Sequence, residues 1–374
     1  MTSPSGQAPE ADLPQRVSTL ELFFDLVFVF TITQLTDVLY AAPTLRSLFQ
    51  ALLMLSLIWW MYGGYAWLTN AVAADATRRR ILLLGGMGAF FLLALSVPNA
   101  FSSTGLAFGL AYLVIVAIHA GLFTRAASER VVEAILRIFP LNVAAALLVV
   151  AGGAAGGSAQ YLLWTAAVAL EWLTPALRGL AGFEVAPAHF VERHGLVLIV
   201  AIGESVVAVG IGAAGLAVDA GLVFVALLGL ALSACLWWLY FGDAGDERAE
   251  RALAAMEPLA RARCALTAFF FCYLALLLGI LTIAAAEQSA LEQPFDELSW
   301  ARAAMLSGGL AAYLAGLALF RRQLATGTGT TLGAAALLVL VAIPLGAEVS
   351  AALQIAVLVG LLGVTIALDR PAGG

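Results

Sequence analysis

Lysine is missing from this chain, and all 18 of its basic residues are arginine. Schiff-base chemistry and lysine-dependent phosphate binding therefore have no residue to carry them. Charge of either sign is scarce: 11% of residues are Asp, Glu, Lys or Arg, against about 25% in an ordinary soluble domain. That scarcity excludes a disordered chain and a nucleic-acid-binding surface. Cysteine is scarce too. Cys235, Cys264 and Cys272 are odd in number and lie within apolar stretches, so they read as small core residues rather than a secreted disulfide framework. With three histidines and no HExxH or paired-cysteine spacing, no metal site is expected. No motif for a cofactor or a catalytic nucleophile stands out. Gly327-Thr328-Gly329 follows no strand and is not a phosphate loop.

What is present is apolar. Of 374 residues, 63% are hydrophobic and the mean hydropathy is +0.99. Twelve stretches, near 20–40, 45–68, 81–101, 105–124, 131–151, 159–180, 188–213, 219–242, 262–286, 299–320, 331–347 and 350–368, are each long enough to cross about 30 Å of hydrocarbon as a helix. The expected fold is an all-α polytopic transmembrane bundle whose immediate partner is the lipid bilayer.

The arginines test that count. With the N-terminus placed in the cytoplasm, one side collects 14 of them, among them Arg16, Arg78, Arg79, Arg80, Arg125, Arg130, Arg178 and Arg370, while the other collects only Arg46 and Arg302. Arg137 and Arg193 fall within helices. The second side also holds a loop with Glu287, Glu292, Asp296 and Glu297. This asymmetry is what the positive-inside rule produces for twelve helices with both termini cytoplasmic in an inner membrane. Residues 1–19 are expected to be a short cytoplasmic tail, and the stretch after them a span rather than a cleaved signal peptide.

The spans suggest an internal repeat. Trp59-Trp60-Met61-Tyr62-Gly63-Gly64 ends the second and Trp237-Trp238-Leu239-Tyr240-Phe241-Gly242 ends the eighth, 178 residues later. Ala89-Phe90-Phe91 lies over Ala268-Phe269-Phe270 in the same way. Two parallel six-helix repeats, 20–180 and 188–369, are expected, an arrangement found in secondary transporters with a midplane site between the halves. The tryptophans are expected in an aromatic belt at the membrane interface.

Ionisable groups inside a span each cost about 2.5–3.5 kcal/mol on insertion scales. Ser18-Thr19-Leu20-Glu21 is a capping box, which accounts for Glu21 by hydrogen bonds alone. Asp25, one turn deeper, is not so explained. The seventh span opens with His189, Glu192, Arg193 and His194, a polar run expected to form, with Asp25, a cytoplasmic gate network or proton relay. Glu204 follows eleven residues after Arg193 and is expected at the bilayer middle, with Gln34 of the first span at the equivalent position of the repeat. Both are candidate ligands for a solute or proton, and their alternative is a structural hydrogen bond between helices. Glu171 is a further mid-span acid, expected to partner Arg137, Arg193 or a histidine. Pro98, Pro140 and Pro175 are expected to kink their helices, and Gly105-x-x-x-Gly109 and Gly152-x-x-x-Gly156 to pack closely.

Leu20-Glu21-Leu22-Phe23-Phe24-Asp25-Leu26-Val27-Phe28-Val29 resembles the opening signature of the bacterial low temperature requirement protein A family. A second signature resembles His189-Phe190-Val191-Glu192-Arg193-His194-Gly195 with Ala201-Ile202-Gly203-Glu204-Ser205-Val206-Val207. The match spans residues 16–245 and departs at His194, where an aromatic such as Phe is expected. The resemblance implies a multipass membrane protein linked to growth in the cold, and it supplies no substrate and no catalytic residues. Three readings follow: a secondary transporter of a small solute, coupled to protons; a membrane-embedded enzyme acting on lipid; and a structural or sensory protein without flux or turnover.

Overall fold

Where the first apolar run begins, Ser18 takes an extended conformation and closes a capping box: the Glu21 amide donates to Ser18 Oγ, and the Ser18 amide donates to Glu21 Oε2 at 2.8 Å. These bonds satisfy amide groups that the first turn leaves without partners. From there the computed structural model, which describes residues 17–71, 77–126 and 129–369, is helical throughout and has no strand among the described residues. Arg16 and Arg370, counted above for the topology, lie outside the described residues, as does the tail up to residue 16.

The first half comprises α1 (Thr19–Ala41), α2 (Leu45–Ala71), α3 (Thr77–Ser96), α4 (Gly105–Ala126), α5 (Glu129–Ala155) and α6 (Gly157–Arg178). After the connection through residues 179–186 come α7 (Pro187–Gly212), α8 (Ala220–Phe241) and the short α9 (Gly245–Ala254). Next, α10 (Pro258–Leu266) and α11 (Tyr273–Glu292) are joined through a π turn (Thr267–Cys272) into one rod. Finally come α12 (Trp300–Gln323), α13 (Thr330–Leu338), α14 (Ile343–Glu348) and α15 (Ala351–Leu368). A 3-10 turn joins α13 to α14 where Pro344 cannot donate to Leu340. Taken with these joints, and with α9 counted with α8 across the 3-10 turn Gly242–Ala244, the described residues form twelve units, and eleven of them are long and apolar enough to cross a membrane. The twelfth is α6, whose apolar run is diluted by Gln160, Glu171 and Thr174, all buried.

Two expectations need correction. The ninth span does not end at 286: α11 continues to Glu292, because no helix breaker stands before Pro294, and Glu287 is buried within it instead of lying in an acidic loop. Nor do both tryptophan pairs sit in a belt. Trp237 and Trp238 are exposed on α8, but Trp59 is a core residue, 2% exposed, stacked between Tyr62 and Tyr273 with its Nε1 donating to the Phe270 carbonyl of the π turn at 3.1 Å. Of the three prolines, Pro98 sits in a 3-10 turn that ends α3, whereas Pro140 and Pro175 lie inside helices that continue past them.

Lipid gives little hydrophobic drive for helices to associate, so close packing must supply it. A methyl group on Gly109 of α4 would stand 2.7 Å from Val150 Cα of α5, which leaves no room for a side chain. Gly279 and Gly309 face each other in the same way where α11 meets α12. The order of neighbours is alike in the two halves. α1 packs on α3, α3 on α4, α4 on α5, α5 on α6 and α6 on α2; likewise α7 packs on α11, α11 on α12, α12 on α13 and α14, these on α15, and α15 on α8. The halves meet where α1 and α2 touch α7 and α11.

Candidate functional site

Two sets of polar side chains lie along α7, one at its contact with α1 near the arginine-rich end and one in the opposite half, where α7 meets α1 and α11. The first grows from helical spacing. Glu21 and Asp25 are one turn apart on α1, and His189 and Arg193 are one turn apart on α7, so each pair shares a face. Arg193 Nη1 lies 2.8 Å from Glu21 Oε1, and Nη2 donates to Asp25 Oδ1 at 3.1 Å. His189 Nε2 stands 3.1 Å from the same Glu21 Oε1. From α2, Tyr62 donates its hydroxyl to Asp25 Oδ1 at 2.8 Å, and Thr69 Oγ1 accepts from Arg193 at 3.5 Å. The guanidinium also lies over the rings of Phe24 and Tyr62, 5.7 and 5.6 Å from their centroids.

This set is buried: Arg193 is 1% exposed, Asp25 and His189 3% each. Two carboxyl groups face one guanidinium, and the His189 ring stands against one of them. Glu21 serves twice, its Oε2 in the capping box and its Oε1 on Arg193 and His189.

The other members of the expected gate lie elsewhere. Glu192 is exposed and accepts from the Val17 amide at 3.4 Å. His194 is fully buried, its Nδ1 against the Phe190 carbonyl at 2.8 Å, and its ring stands edge-on to Trp59 and Tyr273. The structure thus joins Asp25, Arg193 and His189 with Glu21, and it does not bring Glu192 or His194 into the set.

The second set is built from acids without a cation. Glu204 is eleven residues beyond Arg193, about 16 Å further along α7. It is buried, and its Oε2 accepts from Thr33 Oγ1 of α1 at 2.7 Å. Gln34 is half-buried beside Thr33, and no hydrogen bond joins it to Glu204 among the described residues. Asp37, one turn further along α1, is exposed and close enough to act on Glu204 electrostatically. The next residue on α7, Ser205, turns toward α11 and faces Glu287, though without a bond of good geometry. Among the described residues neither Glu204 nor Glu287 forms an ion pair.

Glu171 lies apart from both sets. It is buried and accepts from the Tyr112 hydroxyl of α4. Arg137, one of its expected partners, instead donates to the carbonyls of Arg178 and Ala181 at 3.3 and 2.8 Å. A small apolar cavity of about 60 Å³, lined by Trp60, His119, Asn142 and Phe183 among others, is likewise separate from the acids. Among the described residues no three His, Cys, Asp or Glu side chains are grouped to hold a metal ion.

Sequence reasoning passed over Thr33, Tyr62, Thr69 and Glu287 as site residues. The signal for Thr33 was its place in the same turn as Gln34. For Glu287 it was the unbroken helical run from Ala284 to Gln293.

Comparison with known proteins identifies the family. The family model of the Bacterial low temperature requirement A protein (LtrA) matches residues 16–367, and the chain belongs to that family. An uncharacterized protein of Rhizobium meliloti (strain 1021) is 27% identical over 320 residues, covering 82% of this chain and 77% of its own length. No solved structure matches the chain significantly.

Proposed function

We propose that this multipass member of the low temperature requirement A family is a secondary transporter, coupled to protons, that moves a small solute between two six-helix halves at 20–180 and 188–369. The observation that carries the reading is Glu204: a buried carboxyl held across the α1–α7 contact by Thr33, with no cation bonded to it. Such a group in a membrane interior is costly when ionised and marks an ion or proton pathway. The like order of neighbours in the two halves supports the repeat, and parallel repeats place their sites at the junction between halves.

In this reading Glu204 takes up and releases the proton, and Thr33 with Gln34 lines the α1 side. The Glu21–Arg193–Asp25–His189 cluster closes the arginine-rich end, with Glu192 and His194 at its border, and Glu171 braces the first half. That end faces the cytoplasm of the inner membrane by the positive-inside rule, and twelve crossings return both termini to it.

Proteoliposomes with a trapped pH-sensitive dye provide the test. Mixtures of small solutes are added outside, and active fractions are resolved to single compounds. The wild type is expected to move protons with one of them. Glu204→Gln is expected to uncouple that movement while its melting temperature stays near the wild-type value. Unchanged coupling in a folded Glu204→Gln protein overturns the role.

A further inference from the structure

Glu287 has no part in the reading above, yet it is the most completely enclosed acid of the second set, with 0% exposure. Among the described residues neither of its carboxylate oxygens has a hydrogen-bond donor, and Ser205 Oγ, also 0% exposed, has no partner either. Gly229 of α8 closes the other side, where a methyl group would stand 3.5 Å from Glu287 Oε1. Of the charged and titratable groups on the helices packed against α11, those toward this end are few. Glu204 of α7 is bonded to Thr33, and Tyr40 of α1 to Glu292 at the end of α11. Asp37 of α1 is exposed, Arg302 of α12 lies near Tyr40, and Arg46 of α2 is bonded to Tyr161. Over their length, α8 and α15 bring no Asp, Glu, His or Arg.

An ionised carboxylate in such a place would lose its hydration with nothing in return, and neutralisation is the usual outcome. One proton on either oxygen removes the charge and supplies a donor that Ser205 Oγ is placed to accept. A metal cation is less well served, since a hard ion seeks six or more oxygens and this pocket offers three.

We propose that Glu287 is a proton-binding site within the membrane, paired with Ser205 and reached from the end where Asp37 is exposed. On loading, an O–H bond of hydronium breaks, an O–H bond forms on the Glu287 carboxyl, and water is left behind. On release the same bond breaks toward water. Glu204 and Ser205 are consecutive on α7, so that helix presents an oxygen to each acid-bearing neighbour. The use of this proton for coupling rests on the transporter reading, but its presence does not.

The test is infrared spectroscopy of the purified full chain in lipid nanodiscs, followed from acid to alkaline pH in the carbonyl-stretch region of protonated carboxylic acids. The wild type is expected to show a carboxylic-acid band that is lost in Glu287→Gln and kept in Glu204→Gln. In Ser205→Ala the band is expected to shift as its acceptor disappears. If Glu287→Gln does not fold, Glu287→Asp keeps the carboxyl and is expected to shift the band. A folded Glu287→Gln with the wild-type spectrum, or an unshifted band in Glu287→Asp, overturns the site. A band that follows this pattern in a protein that moves no solute overturns the transporter reading and leaves the site standing.

Discussion

Two acid-bearing patches lie along α7 and the helices packed against it, and they differ in what surrounds the carboxyls. At the arginine-rich end, Glu21 and Asp25 share Arg193, with His189 on Glu21 and Tyr62 on Asp25. In the opposite half, Glu204 has a threonine and Glu287 a serine that makes no bond. The first is organised as a clamp between α1, α2 and α7, because a buried ion pair is costly to assemble and costlier to break. The second has no cation paired with it among the described residues.

Substitutions can break this contrast, and the largest effect is expected at Arg193. Arg193→Leu leaves two buried acids without a cation, and the loss on breaking a buried pair is about 3–5 kcal/mol. Thermal melting of the purified protein should fall accordingly, and adding Glu21→Gln with Asp25→Asn should recover part of it. Next comes Tyr62→Phe, which removes one hydrogen bond to a charged acceptor, worth about 1.5–3 kcal/mol. Thr33→Val removes a single bond from the second patch and should cost about 0.5–1.5 kcal/mol in the same measurement. Glu204→Gln keeps the size and the acceptor, and its cost should stay below about 1 kcal/mol. If Glu204→Gln destabilised the protein as much as Arg193→Leu, the two patches would be alike in kind and the contrast would fail.

The spans were legible because about 20 apolar residues in a row have few alternatives to a membrane helix. The limits of that reading appear at particular residues. Charge reads as the end of a span and so puts Glu287 in a loop, whereas helix continuation depends on breakers, and none stands before Pro294. Glu21 was accounted for by its cap, and the cap is present, but a carboxylate has two oxygens and the second one holds Arg193. Periodicity places His189 and Arg193 on one face; it does not say that Tyr62 and Thr69 arrive from a helix more than a hundred positions away. Trp59 and Trp237 share a motif but not an environment, since one helix lies between the halves and the other at the rim.

The π turn at Thr267–Cys272 has a consequence in chain length. Such a turn amounts to one residue inserted into an otherwise regular helix. Were the same residues wound as a plain α-helix, with none removed, everything before the turn would rotate by as much as one residue's step, about 100°, relative to α11. Phe269, which now stands edge-on to His194, would swing away from it, and the Phe270 carbonyl would leave the Trp59 indole. The widened turn thus takes up one residue's worth of rotation, and the aromatic contact between the two halves depends on its doing so.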